Sequence, residues 1–183
     1  MSMLSSWTSS LWESILGPRA TDSSSCNDSQ NIQSYKYDVF ISFRGSDTRN
    51  TFVDHLYAHL VRKGIFVFKD DKQLQKGESI SPQLFQAIQR SRVSIVVFSK
   101  DYASSTWCLD EMAAVAHCRA ELKQIVFPVF YDVDPSHVRK QNGVYQFAFV
   151  FHALKHDRSS KVDRWKSAMT CLAGLAGWDV RKK

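Results

Sequence analysis

The chain has 183 residues, of which 44% are hydrophobic and 23% charged, with a formal net charge of +6. This length and composition predict a globular protein with one domain, with or without a tail, since domains average about 100–200 residues. Four cysteines without a CxxC pair or a metal-ligand spacing argue against a disulfide scaffold and a structural metal site, and no apolar run approaches the ~18 residues of a membrane span.

The first 34 residues form a serine-rich leader that contains eleven serines and the helix-breaking pair Gly17-Pro18. Such a composition buries too little apolar area to offset the entropy lost on ordering. A few apolar residues nevertheless recur at a helical spacing: Trp7, Leu11, Trp12, Ile15 and Leu16. We expect residues 1–34 to be a disordered leader or a weak docking segment.

Strand and amphipathic helix patterns alternate from Tyr35 onward. In chain order, the pattern predicts a strand at 37–43, a helix around 52–61 that ends at Gly64, a strand at 65–68, a polar loop at 69–79 and a helix that starts at Ser81-Pro82. It continues with a strand at 93–98, a helix at 108–121, a strand at 125–132, a turn at 134–136 and helices near 143–155 and 161–176. This alternation predicts a doubly wound, flavodoxin-like parallel α/β sheet with helices on both faces, over residues 35–178, followed by a short basic tail at 179–183.

In such a sheet a ligand binds beyond the carboxyl ends of the strands, where the strand order reverses. That crevice lies between the first and third strands. Arg44 and Arg49 follow the first strand in the sequence. Their guanidinium groups are suited to a phosphate ligand, because guanidinium groups bind phosphates through paired hydrogen bonds. The residues after the third strand supply hydroxyl groups and the indole of Trp107. Neither GxGxxG nor a P-loop motif occurs in the sequence, and Gly45 alone is equally consistent with a tight turn.

Trp107 and Glu111 are four residues apart and share one face of a predicted helix. Glu111 is surrounded by apolar residues, which predicts partial shielding of its carboxylate. The alternative is a solvated glutamate in a first helical turn, where the helix dipole favours acids. Cys108 is expected to pack as a small apolar residue, because no histidine stands near it in the sequence to activate it.

Several long motifs in order carry a family resemblance: residues 37–45, 70–80, 99–102, 107–111 and 127–136. The segment 36–178 is similar to the Toll/interleukin-receptor (TIR) domains of plant intracellular immune receptors, either as a TIR-only protein or as a truncated one. The resemblance implies an enzyme that cleaves NAD+ into nicotinamide and ADP-ribose-type signals in plant immunity. It needs no cofactor beyond the NAD+ substrate.

The resemblance also assigns roles to residues. Glu111 is implied as the catalytic residue, and the loop 69–79 as a mobile lid. The implied dinucleotide-binding residues are Phe43, Arg44, Gly45, Arg49, Ser105 and Trp107. A cytoplasmic location is implied, with the nucleus as an alternative.

The implied enzyme works as an assembly of TIR domains, and the self-association contact falls on Asp54 and His55. Asp54 stands where the family often carries serine, which puts the strength of that contact in question. Two other functions remain open. One is a non-catalytic TIR scaffold that signals by TIR–TIR contact. The other is a nucleic-acid-processing TIR domain, favoured by the net +8 of residues 35–183 but not by any interleaving of aromatic and basic residues.

Overall fold

Parallel strands form a single sheet in this computed structural model, which describes residues 35–69, 81–155 and 160–181. The strands are β1 (Tyr37–Phe43), β2 (Val67–Lys69), β3 (Ser91–Phe98), β4 (Ile125–Tyr131) and β5 (Trp178–Val180). They are ordered β2-β1-β3-β4-β5, and every neighbouring pair is parallel. The predicted doubly wound α/β fold is therefore confirmed.

The helices fill the connections between the strands. They are α1 (Gly45–Thr48), α2 (Asp54–Arg62), α3 (Pro82–Gln89), α4 (Thr106–Leu122), α5 (Pro135–Lys140), α6 (Val144–Lys155) and α7 (Ser160–Ala173). A π-helical turn (Arg49–Val53) joins α1 to α2, and a 3-10 turn (Tyr102–Ser104) precedes α4. In the described ranges no helix is both long enough and apolar enough to cross a membrane.

The strand order determines which face of the sheet each helix covers. Crossovers between parallel strands are almost always right-handed. The first crossover connects β1 to β2 at one margin of the sheet. The later crossovers connect strands toward β5, in the opposite direction, so their helices lie on the other face of the sheet. Accordingly, α2 packs with Val39, Ile41 and Ile95 in a core of its own, whereas α3, α4, α6 and α7 share a second core.

Helix boundaries follow from local chemistry that the sequence already indicates. Gly64 ends α2 in a left-handed conformation (φ +79°), and its N–H donates to the carbonyl of Val61. The Ser81 hydroxyl caps α3 by accepting a hydrogen bond from the N–H of Leu84 at 3.2 Å, with Pro82 as the first helical residue. Both predicted boundaries are confirmed.

Several elements differ from the sequence prediction. Helix α1 and the π-helical turn were not predicted, and the helix expected around 52–61 begins at Asp54. Strand β2 begins at Val67 rather than residue 65, because the N–H of Ile65 is used to close α2. The predicted turn at 134–136 opens the short helix α5, and Trp178–Val180 forms an edge strand that extends into the predicted tail. The predicted leader (1–34) and nearly all of the predicted lid (69–79) lie outside the described residues.

Candidate functional site

The candidate site lies at the carboxyl ends of β1 and β3, the neighbouring strands between which the strand order reverses. Phe43 and Val97 are paired in register at these ends. The segments that follow the two strands are joined by a hydrogen bond from the N–H of Asp101 to Asp47 Oδ2 in α1 at 3.1 Å. The two segments that the sequence analysis expects to face each other therefore meet.

Glu111 lies in the first turns of α4 with only 3% of its surface exposed. Its two carboxylate oxygens have different donors. The Ser42 hydroxyl donates to Oε2 at 2.6 Å, and the Trp107 indole donates to Oε1 at 2.7 Å. These bonds orient the carboxylate, and the burial contradicts the alternative interpretation of Glu111 as a solvated surface glutamate.

A second layer of polar groups lies beneath Glu111. The Tyr102 hydroxyl is 2.8 Å from Ser42 Oγ and donates to the carbonyl of Cys108 at 3.0 Å. Burial raises the pKa of Tyr102 well above its ordinary value, and the charge of Glu111 raises it further. Tyr102 therefore keeps its proton and remains a hydrogen-bond donor.

The thiol of Cys108 is buried beside this layer and lies 3.6 Å from the carbonyl oxygen of Phe43. Burial raises its pKa to about 12, and the negative charge of Glu111 acts in the same direction. A thiol that stays protonated is a poor nucleophile. This supports the interpretation of Cys108 as a packed apolar residue.

Basic and aromatic groups form the β1 side of the site. The Arg49 guanidinium lies over the ring of Phe43, 5.2 Å from its centroid. Gly45 makes room for this arrangement, since a Cβ there would lie 3.0 Å from Arg49 Nη2 and 3.1 Å from Nε. A larger side chain at this position would require the flexible end of Arg49 to shift by a few tenths of an ångström.

Three buried polar atoms at this edge have no hydrogen-bond partner among the described residues: Arg44 Nε, Asp47 Oδ1 and Ser99 Oγ. Buried polar atoms are usually paired, because leaving one unpaired costs about 1–3 kcal/mol. These three atoms lie just beyond the ends of β1 and β3, where a polar ligand or a water molecule can make the missing bonds. They comprise one cationic donor, one acidic acceptor and one hydroxyl.

The other predicted site residues are divided between this edge and α2. Ser105 caps α4, and its hydroxyl accepts a hydrogen bond from the N–H of Cys108 at 3.3 Å. Asp54 and His55 are exposed at the start of α2. Asp54 forms an ion pair with Lys69 at 2.9 Å, so its charge is compensated within the chain.

Sequence reasoning missed Ser42 and Tyr102 as supports of Glu111. Ser42 was visible as a polar residue in an otherwise apolar, buried stretch of strand, which is the informative kind of exception. Tyr102 had no comparable signal, because its contact depends on the 3-10 turn that brings it under β1.

Comparison with known proteins shows that this chain is similar to one domain family and to plant disease resistance proteins. Residues 36–183 match the family described as TIR domain. The chain is 51% identical over 144 residues to disease resistance protein RPV1 of Vitis rotundifolia, and 49% identical over 144 residues to TMV resistance protein N of Nicotiana glutinosa. These matches cover 79% and 78% of the chain but only 10% and 13% of the relatives.

Among solved structures, the TIR domains of the activated Roq1 resistosome, which directly recognises the pathogen effector XopQ, are similar to this chain. The TM-score is 0.74 and the sequence identity 54%, over 80% of this chain and 89% of that one.

Proposed function

The chain belongs to the TIR domain family, and we propose that it is an NAD+ glycohydrolase with Glu111 as its catalytic residue. The observation that carries this proposal is the buried Glu111 carboxylate, oriented by Ser42 and Trp107 at the sheet edge where ligands bind. Arginines and unpaired polar atoms follow β1 and β3 at the same edge of the sheet. Such a site suits a substrate that carries both phosphates and a positively charged leaving group.

The reaction needs only one carboxylate. The bond between the ribose carbon and the pyridinium nitrogen breaks, and the electron pair leaves with neutral nicotinamide, so no acid has to protonate the leaving group. The oxocarbenium-like ribose is stabilised by the negative charge of Glu111. Water adds to the ribose carbon and loses a proton, giving ADP-ribose; attack by a hydroxyl of the substrate itself gives a cyclic product instead.

The remaining predicted residues would bind the dinucleotide. Arg44 and Arg49 carry the charge that diphosphate binding requires, and Phe43 positions the Arg49 guanidinium. Trp107 offers an aromatic face beside Glu111, and Gly45 keeps the space clear. Because Glu111 is nearly inaccessible, substrate entry requires Trp107 or a neighbouring loop to move.

The decisive experiment compares the chain with its Glu111→Gln variant, incubated with NAD+ and analysed by chromatography for nicotinamide and ADP-ribose. Glutamine keeps the size and removes the charge, so we expect cleavage to fall by about 100-fold or more. Asp110→Asn is the matched control: Asp110 is a buried carboxylate in the preceding position that bonds Trp165 and Lys161 instead. Normal turnover in folded Glu111→Gln would refute the proposal.

A second candidate is a non-catalytic scaffold that signals by TIR–TIR contact. The low exposure of Glu111 and the similarity to the TIR domains of the Roq1 resistosome favour it. The same experiment separates the two functions. A scaffold releases no nicotinamide at any protein concentration, and its association does not change in Glu111→Gln.

A further inference from the structure

Helix α6 is apolar on both of its faces. Its inner face buries Tyr145, Phe149 and His152 in the core. Its outer face carries five large exposed side chains, which we call the α6 stripe: Val144 (43% exposed), Phe147 (75%), Val150 (52%), Phe151 (63%) and Leu154 (81%). A helix that is apolar all round is normally buried on all sides, so the α6 stripe lacks the cover that its composition calls for.

The size of the α6 stripe favours a tethered occupant over a second copy of the chain. Its exposed area is roughly 600 Å², whereas a stable protein–protein interface buries about 800 Å² on each partner. A pairing of this area between separate molecules would be weak. A segment of the same chain needs much less contact area, because a flexible tether gives an effective concentration of about 1 mM.

The leader contains an apolar segment whose length and spacing suit the α6 stripe. Its apolar residues recur three or four positions apart, which predicts a single helical face: Leu4, Trp7, Leu11, Trp12, Ile15 and Leu16. Ser6, Ser10 and Glu13 fall on the opposite face, and Gly17-Pro18 is a helix-stop signal. A helix over residues 4–16 would be about 20 Å long, close to the ~18 Å of the 12-residue α6.

The connection to the domain is long enough for this pairing. Residues 17–34 would span about 25 Å on average as a flexible chain, and up to ~60 Å when extended. A domain of this size is about 40 Å across, so the segment reaches α6 from the start of β1. The leader carries a net −2 and the rest of the chain +8, which adds a long-range attraction.

We propose that residues 4–16 dock in cis, as an amphipathic helix, on the α6 stripe. The docked segment would cover the helix that supports the loop after β3. Tyr145 of α6 donates to the carbonyl of Ser99 at 2.7 Å, and His152 Nε2 lies 2.8 Å from the carbonyl of Ala103. The leader would thereby be connected to the candidate site through a single intervening helix.

The test places a photo-crosslinking benzoylphenylalanine at position 7 of the full chain, in place of Trp7. Isotope-labelled and unlabelled chains are mixed and irradiated at about 1 µM, far below the effective concentration at which the tether holds the leader near α6. The crosslinked peptides are identified by mass spectrometry. We expect crosslinks to residues 144–155 within single chains, with a yield that does not change on dilution.

Matched variants test the surface itself. Phe151→Glu and Leu11→Glu each place a charge in the proposed contact, and we expect each to lower the crosslink yield about tenfold. Gln146→Glu and Ser10→Glu place the same charge beside the contact and should leave the yield unchanged. Crosslinks to the exposed side of β4 and β5, crosslinks between labelled and unlabelled chains, or no crosslinks at all would each overturn the proposal.

Discussion

Ser42 helps to fix the position of the Glu111 carboxylate. Its hydroxyl donates to Glu111 Oε2 and also contacts Tyr102, so Ser42→Ala removes two polar contacts from a buried carboxylate site. We expect a stability loss of about 1–3 kcal/mol and at least a roughly tenfold slower NAD+ cleavage. Thermal unfolding and product chromatography measure the two effects, and Ser42→Thr, which restores the hydroxyl, should recover part of the activity.

Ser94 provides the matched control for Ser42. It is a buried serine in the neighbouring strand β3, and its hydroxyl donates to Gln124 Oε1 at 3.0 Å, away from Glu111. Ser94→Ala should lower stability by a similar amount and leave cleavage per folded molecule unchanged. Equal losses of activity in both variants would mean that Ser42 acts through general stability alone.

At the residue scale, the sequence predicts which groups stand near the site better than it predicts their contacts. The spacing of Trp107 and Glu111 predicts a shared face, and the structure joins them at 2.7 Å. The contact between Ser42 and Glu111 joins residues 69 positions apart. It depends on how α4 crosses the end of β1, and no local pattern encodes that crossing.

At the scale of elements, α5 depends on the cap that Asp134 provides. Asp134 Oδ1 accepts hydrogen bonds from the hydroxyl and N–H of Ser136, and Oδ2 pairs with Arg181 beside β5. These hydrogen bonds, with the Arg181 charge as a smaller contribution, lower the pKa of Asp134 to about 2. One carboxylate thus connects a helix start to the edge strand.

The lowered pKa gives this cap a defined pH dependence. A folded-state pKa below the unfolded value stabilises the fold above about pH 4, and that stabilisation disappears as the pH falls toward 2. Asp134→Asn keeps an oxygen acceptor but cannot titrate. We expect the melting temperature of the variant to be a few degrees lower at about pH 6, with the difference shrinking toward pH 2.

Asp163 is an exposed residue of α7, and Asp163→Asn is the control for general charge effects in these thermal unfolding measurements. A constant difference between the parent chain and Asp134→Asn over the same pH range would contradict the role of Asp134.

Long elements are predicted well by the sequence and short ones are not. The apolar run of β3 and the helix-favouring residues of α4 extend over 8 and 17 residues. Helix α5 and strand β5 have only 6 and 3 residues, too few for a period to emerge. Tertiary contacts help to fix both: the ion pair of Asp134 with Arg181 supports the start of α5. Strand β5 is fixed by pairing with β4 and by the packing of Trp178 on Phe127, with ring centroids 4.9 Å apart.

At the scale of the whole molecule, the TIR resemblance predicts a contact with a second copy at His55. It is exposed at the start of α2, beside the Asp54–Lys69 ion pair, while Leu56 is buried in the core and cannot take part. The resemblance to TIR domains implies an enzyme whose catalysis depends on association. Specific activity should therefore rise by about several-fold or more with protein concentration over a roughly hundredfold range, and His55→Ala should reduce that rise.

Gln146→Ala is the control for this dilution series, because α6 packs in the core on the opposite face of the sheet from α2. Specific activity that stays constant on dilution, and is equal in His55→Ala and the parent chain, would identify a self-sufficient monomer.

The shortness of the two edge strands has a consequence for how this chain behaves when it is crowded. Within residues 35–69 and 160–181, β2 and β5 each present three residues at the margins of the sheet. An added strand needs a longer row of unpaired backbone groups to be held in register. High local concentrations of this domain should therefore produce reversible clusters that dissolve on dilution, rather than cross-β fibrils that persist.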